Sequence, residues 1–239
     1  MAERPGFAHT LPMRGRILFI NPNRSVACGD GIAAALAPFR VPGVPALEVV
    51  SLAEGPPAIS SWADWFAAAG PILACIAREE ATTDAFVIAC ASDPALAAAR
   101  EATPRPVFGM FSSAVAQALA LAASFGVIAL VRASVARHAL ALRQMGAERQ
   151  LAAEIPLDVG METLLDPVAA RARMVAAGRE IAAAGAGAIV LGCAGMAHHA
   201  EAVEQAAGLP VIEPAQAAAA AALARVLPAR VAAMGRAAE

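Results

Sequence analysis

Short apolar runs alternate along the chain with longer, Ala-rich amphipathic stretches. The runs fall at 16–21, 47–52, 84–90, 106–110, 125–131, 188–193 and 210–213. Their length and near-continuous apolarity predict strands buried on both faces. Between them the pattern predicts helices near 25–38, 61–81, 94–101, 113–123, 134–146, 167–184, 196–207 and 215–226. A strand-then-helix rhythm of this kind predicts an α/β protein, with parallel sheets covered by helices.

The chain also repeats itself. Phe86-Val87-Ile88-Ala89-Cys90 resembles Ile189-Val190-Leu191-Gly192-Cys193, and each run leads through a helix to a short Pro-Val strand, Pro106-Val107 and Pro210-Val211. Cys90 to Val107 spans 17 positions, and Cys193 to Val211 spans 18. The runs at 17–21 and 127–131 make matching opening strands. Two similar α/β lobes are therefore expected, related by a pseudo-twofold, with the site in the cleft between them. The first covers 1–110 and the second 111–213, with a C-terminal helix at 214–239 packing back on the first.

Composition narrows the function. A chain of 239 residues is long enough to bury a sizeable core. Its net charge is −2, only 16% of residues are charged, and no basic stripe is interleaved with aromatics. A nucleic-acid partner is not expected. Alanine dominates the apolar content. The apolar tail at 216–229 is broken by Arg225 and Pro228, so no membrane span is expected. Residues 1–14 lack a basic start followed by an apolar run, which argues against a secretory leader. The four cysteines include no CxxC pair, arguing against a disulfide framework or a metal site and for a reducing cytoplasm.

Cys90 and Cys193 sit by pattern at the carboxyl ends of parallel strands, where such sheets bind ligands. Asp93 suits a helix N-cap and Pro94 the first helical position, which would place Cys90 just ahead of a helix. After Cys193, Ala194-Gly195-Met196 makes a small-residue turn. A helix N-terminus favours thiolate over thiol. Two thiols facing each other across a cleft would let one thiolate remove a proton while the opposite thiol supplies one. Such a pair inverts a stereocentre with no metal, pyridoxal phosphate or flavin. Cys28 and Cys75 fall inside helix patterns and are assigned to packing, as are Trp62 and Trp65 with an interface as the alternative. Arg132 reads as a solvated loop residue and Ser134 as a helix cap. His198 and His199 read as surface or internally satisfied histidines.

At these residues the sequence resembles the aspartate/glutamate/hydantoin racemase superfamily, in its hydantoin and allantoin racemase branch. The segments that carry the resemblance are Ile20-Asn21-Pro22-Asn23-Arg24-Ser25, Ala89-Cys90-Ala91-Ser92-Asp93-Pro94, and Val190-Leu191-Gly192-Cys193-Ala194-Gly195-Met196 with Pro210-Val211-Ile212-Glu213-Pro214. The resemblance implies two flavodoxin-like lobes, no cofactor, a small-molecule substrate, a homo-oligomer, and Cys90 and Cys193 as the catalytic pair. It also makes Asn21, Asn23, Ser25, Ala91, Ser92, Ala194 and Gly195 the substrate-binding candidates. An asparagine suits a cyclic imide because it offers both donors and acceptors. For Asn23 and Ser25 the alternative is a turn and a helix cap.

Three segments near the expected pocket depart from the family's habit: Ala91 stands where a bulky residue is frequent, Arg24-Ser25 where Thr-Ser is, and Gly109-Met110-Phe111-Ser112-Ser113 where an acidic residue is common after the strand end. The implied activity is a two-cysteine racemase acting on a hydantoin-like or allantoin-like carbon acid. The alternatives are maleate cis–trans isomerisation, amino-acid racemisation, or a binding protein without turnover. Arylmalonate decarboxylases keep only the second-lobe cysteine, so Cys90 speaks against that activity.

Overall fold

The computed structural model describes residues 15–159, 163, 166, 168 and 170–237, with side chains to 228. Residues 1–14, inspected above for a leader, positions 167 and 169 of the helix expected over 167–184, and positions 238 and 239 of the expected C-terminal helix lie outside the described residues.

Two four-stranded parallel sheets form. The first contains β1 (Arg16–Asn21), β2 (Ala46–Ser51), β3 (Ala85–Ile88) and β4 (Val107–Gly109), in the order β2-β1-β3-β4. The second contains β5 (Phe125–Ala129), β6 (Leu151–Pro156), β7 (Ile189–Leu191) and β8 (Val211–Ile212), in the order β6-β5-β7-β8. The second sheet repeats the topology of the first strand for strand. Register repeats too: Phe86 pairs with Val107 in one sheet and Ile189 with Val211 in the other.

The helices are α1 (Val26–Ala35), α2 (Trp62–Ala67), α3 (Ala69–Glu79), α4 (Leu96–Ala102), α5 (Met110–Leu121), α6 (Arg132–Met145), α7 (Arg171–Ala183), α8 (Ala200–Ala207) and α9 (Pro214–Ala237). Side chains alternate across each strand, so each sheet buries two faces. Ile17, Phe19, Ala85 and Val87 face α1 and α9, whereas Leu18, Ile20, Phe86 and Ile88 face α3 and α4. In the second sheet Phe125, Val127 and Val190 face α5 and α6, and Ile128, Ile189 and Leu191 face α7 and α8. Each fully buried Ile or Phe contributes roughly 1.5–3 kcal/mol of transfer free energy.

The lobes exchange a helix. α5 follows β4 of the first sheet, yet Phe111, Ala114, Val115 and Ala118 pack on the second. α9 follows β8 of the second sheet, yet Ala215, Ala218, Ala219, Ala222 and Leu223 pack on the first.

Away from the site, two elements stand out as differing from the sequence pattern. The helix expected over 61–81 is two helices, because Pro71 lacks an N–H and crowds the carbonyl of Ala67, four residues before it. β6 was not expected: this edge strand is only partly buried, and Ala152, Ala153 and Glu154 give it no apolar run.

Candidate active site

The carboxyl ends of both sheets meet at one cavity of about 180 Å³. The first lobe contributes Asn21 at the end of β1 and Asn23 after it, Cys28, Gly31 and Ile32 of α1, and Cys90, Ala91 and Ser92 after β3. The second contributes Ser134, Arg137 and His138 of α6, and Gly192, Cys193, Ala194 and Gly195 after β7. Both cysteines therefore line the same space, one from each lobe.

Asn21 is fully buried at the end of β1. Its amide Nδ2 donates to Ser51 Oγ (3.0 Å), to the Ser25 carbonyl (3.2 Å) and to Asn23 Oδ1 (3.3 Å). Asn23 Oδ1 in turn accepts the Ser25 N–H at 2.9 Å. Both asparagines hold the loop in shape while presenting a wall to the cavity. Ser25 departs from its expected place: it is absent from the cavity wall, because its hydroxyl caps α1 by accepting the Cys28 N–H at 3.3 Å. Arg24 is exposed and also outside the wall. Cys28, assigned above to packing, faces the cavity as a third thiol, while Cys75 is fully buried among apolar side chains.

Cys90 does not precede a helix. The chain turns through 91–95, with Asp93 (φ 47°) and Ala95 (φ 57°) in the left-handed region, and α4 starts at Leu96 without a side-chain cap. The expected local N-cap is replaced by a distant one: the Asp93 carboxylate accepts the Phe111 N–H at 2.9 Å and the Ser112 N–H at 2.8 Å, at the start of α5. Gly109 makes this possible, since a Cβ there would collide with the Asp93 carboxyl group. That long-range cap starts α5 three residues earlier than the pattern suggests and employs Ser112 outside the cavity wall. Trp65 supports the turn from above, its Nε1–H donating to the Ser92 carbonyl at 3.0 Å.

The two thiols differ electrostatically. Burial pushes Cys90 above the ordinary thiol value; the Ser92 hydroxyl, 3.4 Å from Sγ, and the Arg137 guanidinium pull the other way. Burial pushes Cys193 up to about 12, opposed by the Gly195 N–H and reinforced by the negative potential of Cys28, Cys90 and Glu213. Neither thiol gains the low value expected from a helix N-terminus. Desolvation of the charged form outweighs the local dipole. Cys193 is the N-cap of a 3-10 turn over Ala194–His199, too short and irregular to act as a full helix end.

The inner face of α6 was not among the expected site residues. Ser134, Arg137 and His138, at i, i+3 and i+4, are all at least nine-tenths buried. His138 stacks on Phe111 with ring centroids 4.5 Å apart, and its Nδ1 meets Glu154 Oε1 at 2.6 Å. Ser134 lies inside the helix instead of capping it, and Arg132 is exposed beside Asp158 (3.2 Å). The available clue was Leu142, which continues this face into the core, so that Arg137 and His138 had to lie on the buried side.

Among the described residues no cluster of His, Cys, Asp and Glu has the arrangement to hold a metal ion. No described helix is long and apolar enough to cross a membrane.

Comparison with known proteins agrees with this architecture. The profile of the Asp/Glu/Hydantoin racemase family matches residues 17–222. A hydantoin racemase of Paenarthrobacter aurescens is 35% identical over 208 residues, covering 85% of this chain and 87% of its own. The structure of an allantoin racemase from Klebsiella pneumoniae superposes with a TM-score of 0.78 at 34% identity, covering 87% of this chain and 85% of that one. An allantoin racemase from Pseudomonas fluorescens gives a TM-score of 0.77 at 25% identity, over 87% and 88%. This chain belongs to the Asp/Glu/Hydantoin racemase family.

Proposed function

We propose that the protein is a racemase that needs no cofactor and acts on a hydantoin-like or allantoin-like ring, with Cys90 and Cys193 as its two proton-transfer groups. The observation that carries the reading is the pair of thiols lining one small cavity, each at a strand end of a repeated sheet. A ring carbon beside a carbonyl is a carbon acid, and its stereochemistry is lost when a proton leaves one face and another arrives on the opposite face. Cys90 takes the part of the base in this reading, because Ser92 and Arg137 favour its charged form against the burial that raises it, while burial holds Cys193 neutral at neutral pH. The Cys90 thiolate takes the ring proton and leaves an enolate. The Cys193 thiol then gives its proton to the other face and becomes the thiolate, ready for the reverse direction. General acid–base transfer of this kind supplies roughly 10²–10⁴-fold.

Asn21, Asn23, Ala91, Ser92, Ala194 and Gly195 shape the ring's pocket in this reading, and Ser25 acts through the loop. The lobes divide near residue 110, with 214–239 returned to the first lobe. The exposed cluster of Trp62 and Phe66 on α2 supports a homo-oligomer, and the four free cysteines support a cytoplasmic setting.

The test follows optical rotation and deuterium uptake of an enantiopure 5-substituted hydantoin in D₂O. Wild type is expected to lose rotation and gain deuterium, and Cys90→Ala and Cys193→Ala to lose racemisation about 10³-fold. Undiminished racemisation without either thiol overturns the mechanism.

A further inference from the structure

Arg137 is a buried cation in contact with no carboxylate among the described residues. Its side chain lines the cavity, and the residue is 2% exposed. Nη2 makes long contacts with Ser134 Oγ (3.3 Å) and the Ile59 carbonyl (3.5 Å). Among the described residues Nε and Nη1 have no hydrogen-bond partner. Burial weakens its hold on its proton, and the negative charges that act on it are Cys90 and Asp64 at a distance. Burying a charge with unfilled donors is strongly unfavourable unless something arrives to satisfy them. The surroundings direct that something: the groups beside Arg137 on α6 are Ser134 and the Glu154-bound His138, whereas the α1 side of the cavity is small and apolar.

We infer that Arg137, steadied by Ser134 and the Ile59 carbonyl, binds a carboxylate carried on the substituent of the substrate, so that the preferred substrates are hydantoin-like rings with a short acidic side chain. The inference rests on the racemase reading for the ring and adds the class of side chain. A planar guanidinium with unfilled N–H groups matches a carboxylate in geometry and charge. The cavity then has a division of labour: the thiols work on the ring carbon, and Arg137 sets which rings are held there.

The experiment compares hydantoin-5-acetic acid with its neutral near-isostere 5-propylhydantoin, using wild type, Arg137→Met and Arg137→Lys. Methionine keeps much of the side-chain length without the charge, and lysine keeps the charge without the planar fork. Circular dichroism reads racemisation, and calorimetry reads binding of each compound separately from turnover. Wild type is expected to prefer the acid by about 10- to 100-fold in kcat/KM, mostly through KM, as charge-assisted hydrogen bonds give. Arg137→Met is expected to lose that preference and Arg137→Lys to keep part of it. Equal handling of the two compounds by wild type overturns the inference, as does a Met variant that loses kcat on both yet keeps the preference for the acid, which would make Arg137 a partner of Cys90 alone. If no compound racemises, the racemase reading fails, and calorimetry still decides this one: tighter binding of the acid that vanishes in Arg137→Met supports it, and equal binding refutes it.

Discussion

The third, sixth and seventh residues of α1 are Cys28, Gly31 and Ile32; those of α6 are Ser134, Arg137 and His138, and all six face the cavity. The two lobes thus present the same helical positions to the same space, one small and apolar, the other polar and charged. A second mismatch follows from the sheet register, which makes Gly109 the counterpart of Glu213 and Asp93 the counterpart of Met196. In the first lobe a carboxylate reaches the start of α5 from Asp93, through the space left by Gly109. In the second, Glu213 supplies the carboxylate itself, accepting the Gln216 N–H at 2.7 Å at the start of α9, and Met196 fills the core. The duplicated backbone is conserved between the halves while the charges have been moved. Proton transfer between two faces needs symmetric positions but benefits from unequal partners, one poised to accept and one to donate.

Breaking the first lobe's carboxylate route gives the largest expected effect. Gly109→Ala drives a methyl group into Asp93 and is expected to cost about 3 kcal/mol in urea unfolding, whereas Met196→Leu, at the position matching Asp93, stays within about 1 kcal/mol. Equal losses would dissolve the contrast. Next comes the contrast between the thiols. At pH 8 Cys90 is expected to be alkylated by iodoacetamide about 100-fold faster than Cys193, followed by peptide mass spectrometry, because only the thiolate attacks. Comparable rates would mean that the cavity does not distinguish its two sides.

Ser92→Ala sharpens the same point. Losing a hydroxyl that favours the Cys90 thiolate raises this thiol further, so the rise of kcat/KM with pH moves to higher pH and activity near pH 7 falls about 10-fold. An unshifted profile would remove Ser92 from the account. The smallest effect concerns Glu213, which burial raises from 4.5 to about 7. Its folded-state value lies above the unfolded one, so the folded protein holds the extra proton between these limits and loses stability as pH rises through them. Glu213→Gln is expected to be more stable than wild type at pH 8 by on the order of 1 kcal/mol, with the gap closing near pH 4. Thermal melts at both values check it, and a gap that widens in acid would reverse the sign.

Much of this was legible in the chain. Phe86 to Cys90 and Ile189 to Cys193 announced the repeat because buried parallel strands are written as continuous apolar runs. The strand-end cysteines followed from that register alone. β6 was hidden because a partly exposed edge strand needs no apolar run, and Glu154 is there to meet His138. The start of α5 was hidden because its cap comes from Asp93, 18 positions away, and local patterns cannot see such a partner. Arg137 was hidden for a different reason. A charged residue on an Ala-rich helix reads as solvated, and only the position of Leu142 on the same face reveals otherwise.

The bond from Trp65 to the Ser92 carbonyl gives the protein an intrinsic optical reporter. The chain has only two tryptophans, and one is tethered to the peptide that follows Cys90. Indole emission responds to its hydrogen-bonding and polarity, so occupancy beside that peptide registers as a change in colour or intensity, and unlabelled protein can be titrated with colourless compounds in a cuvette.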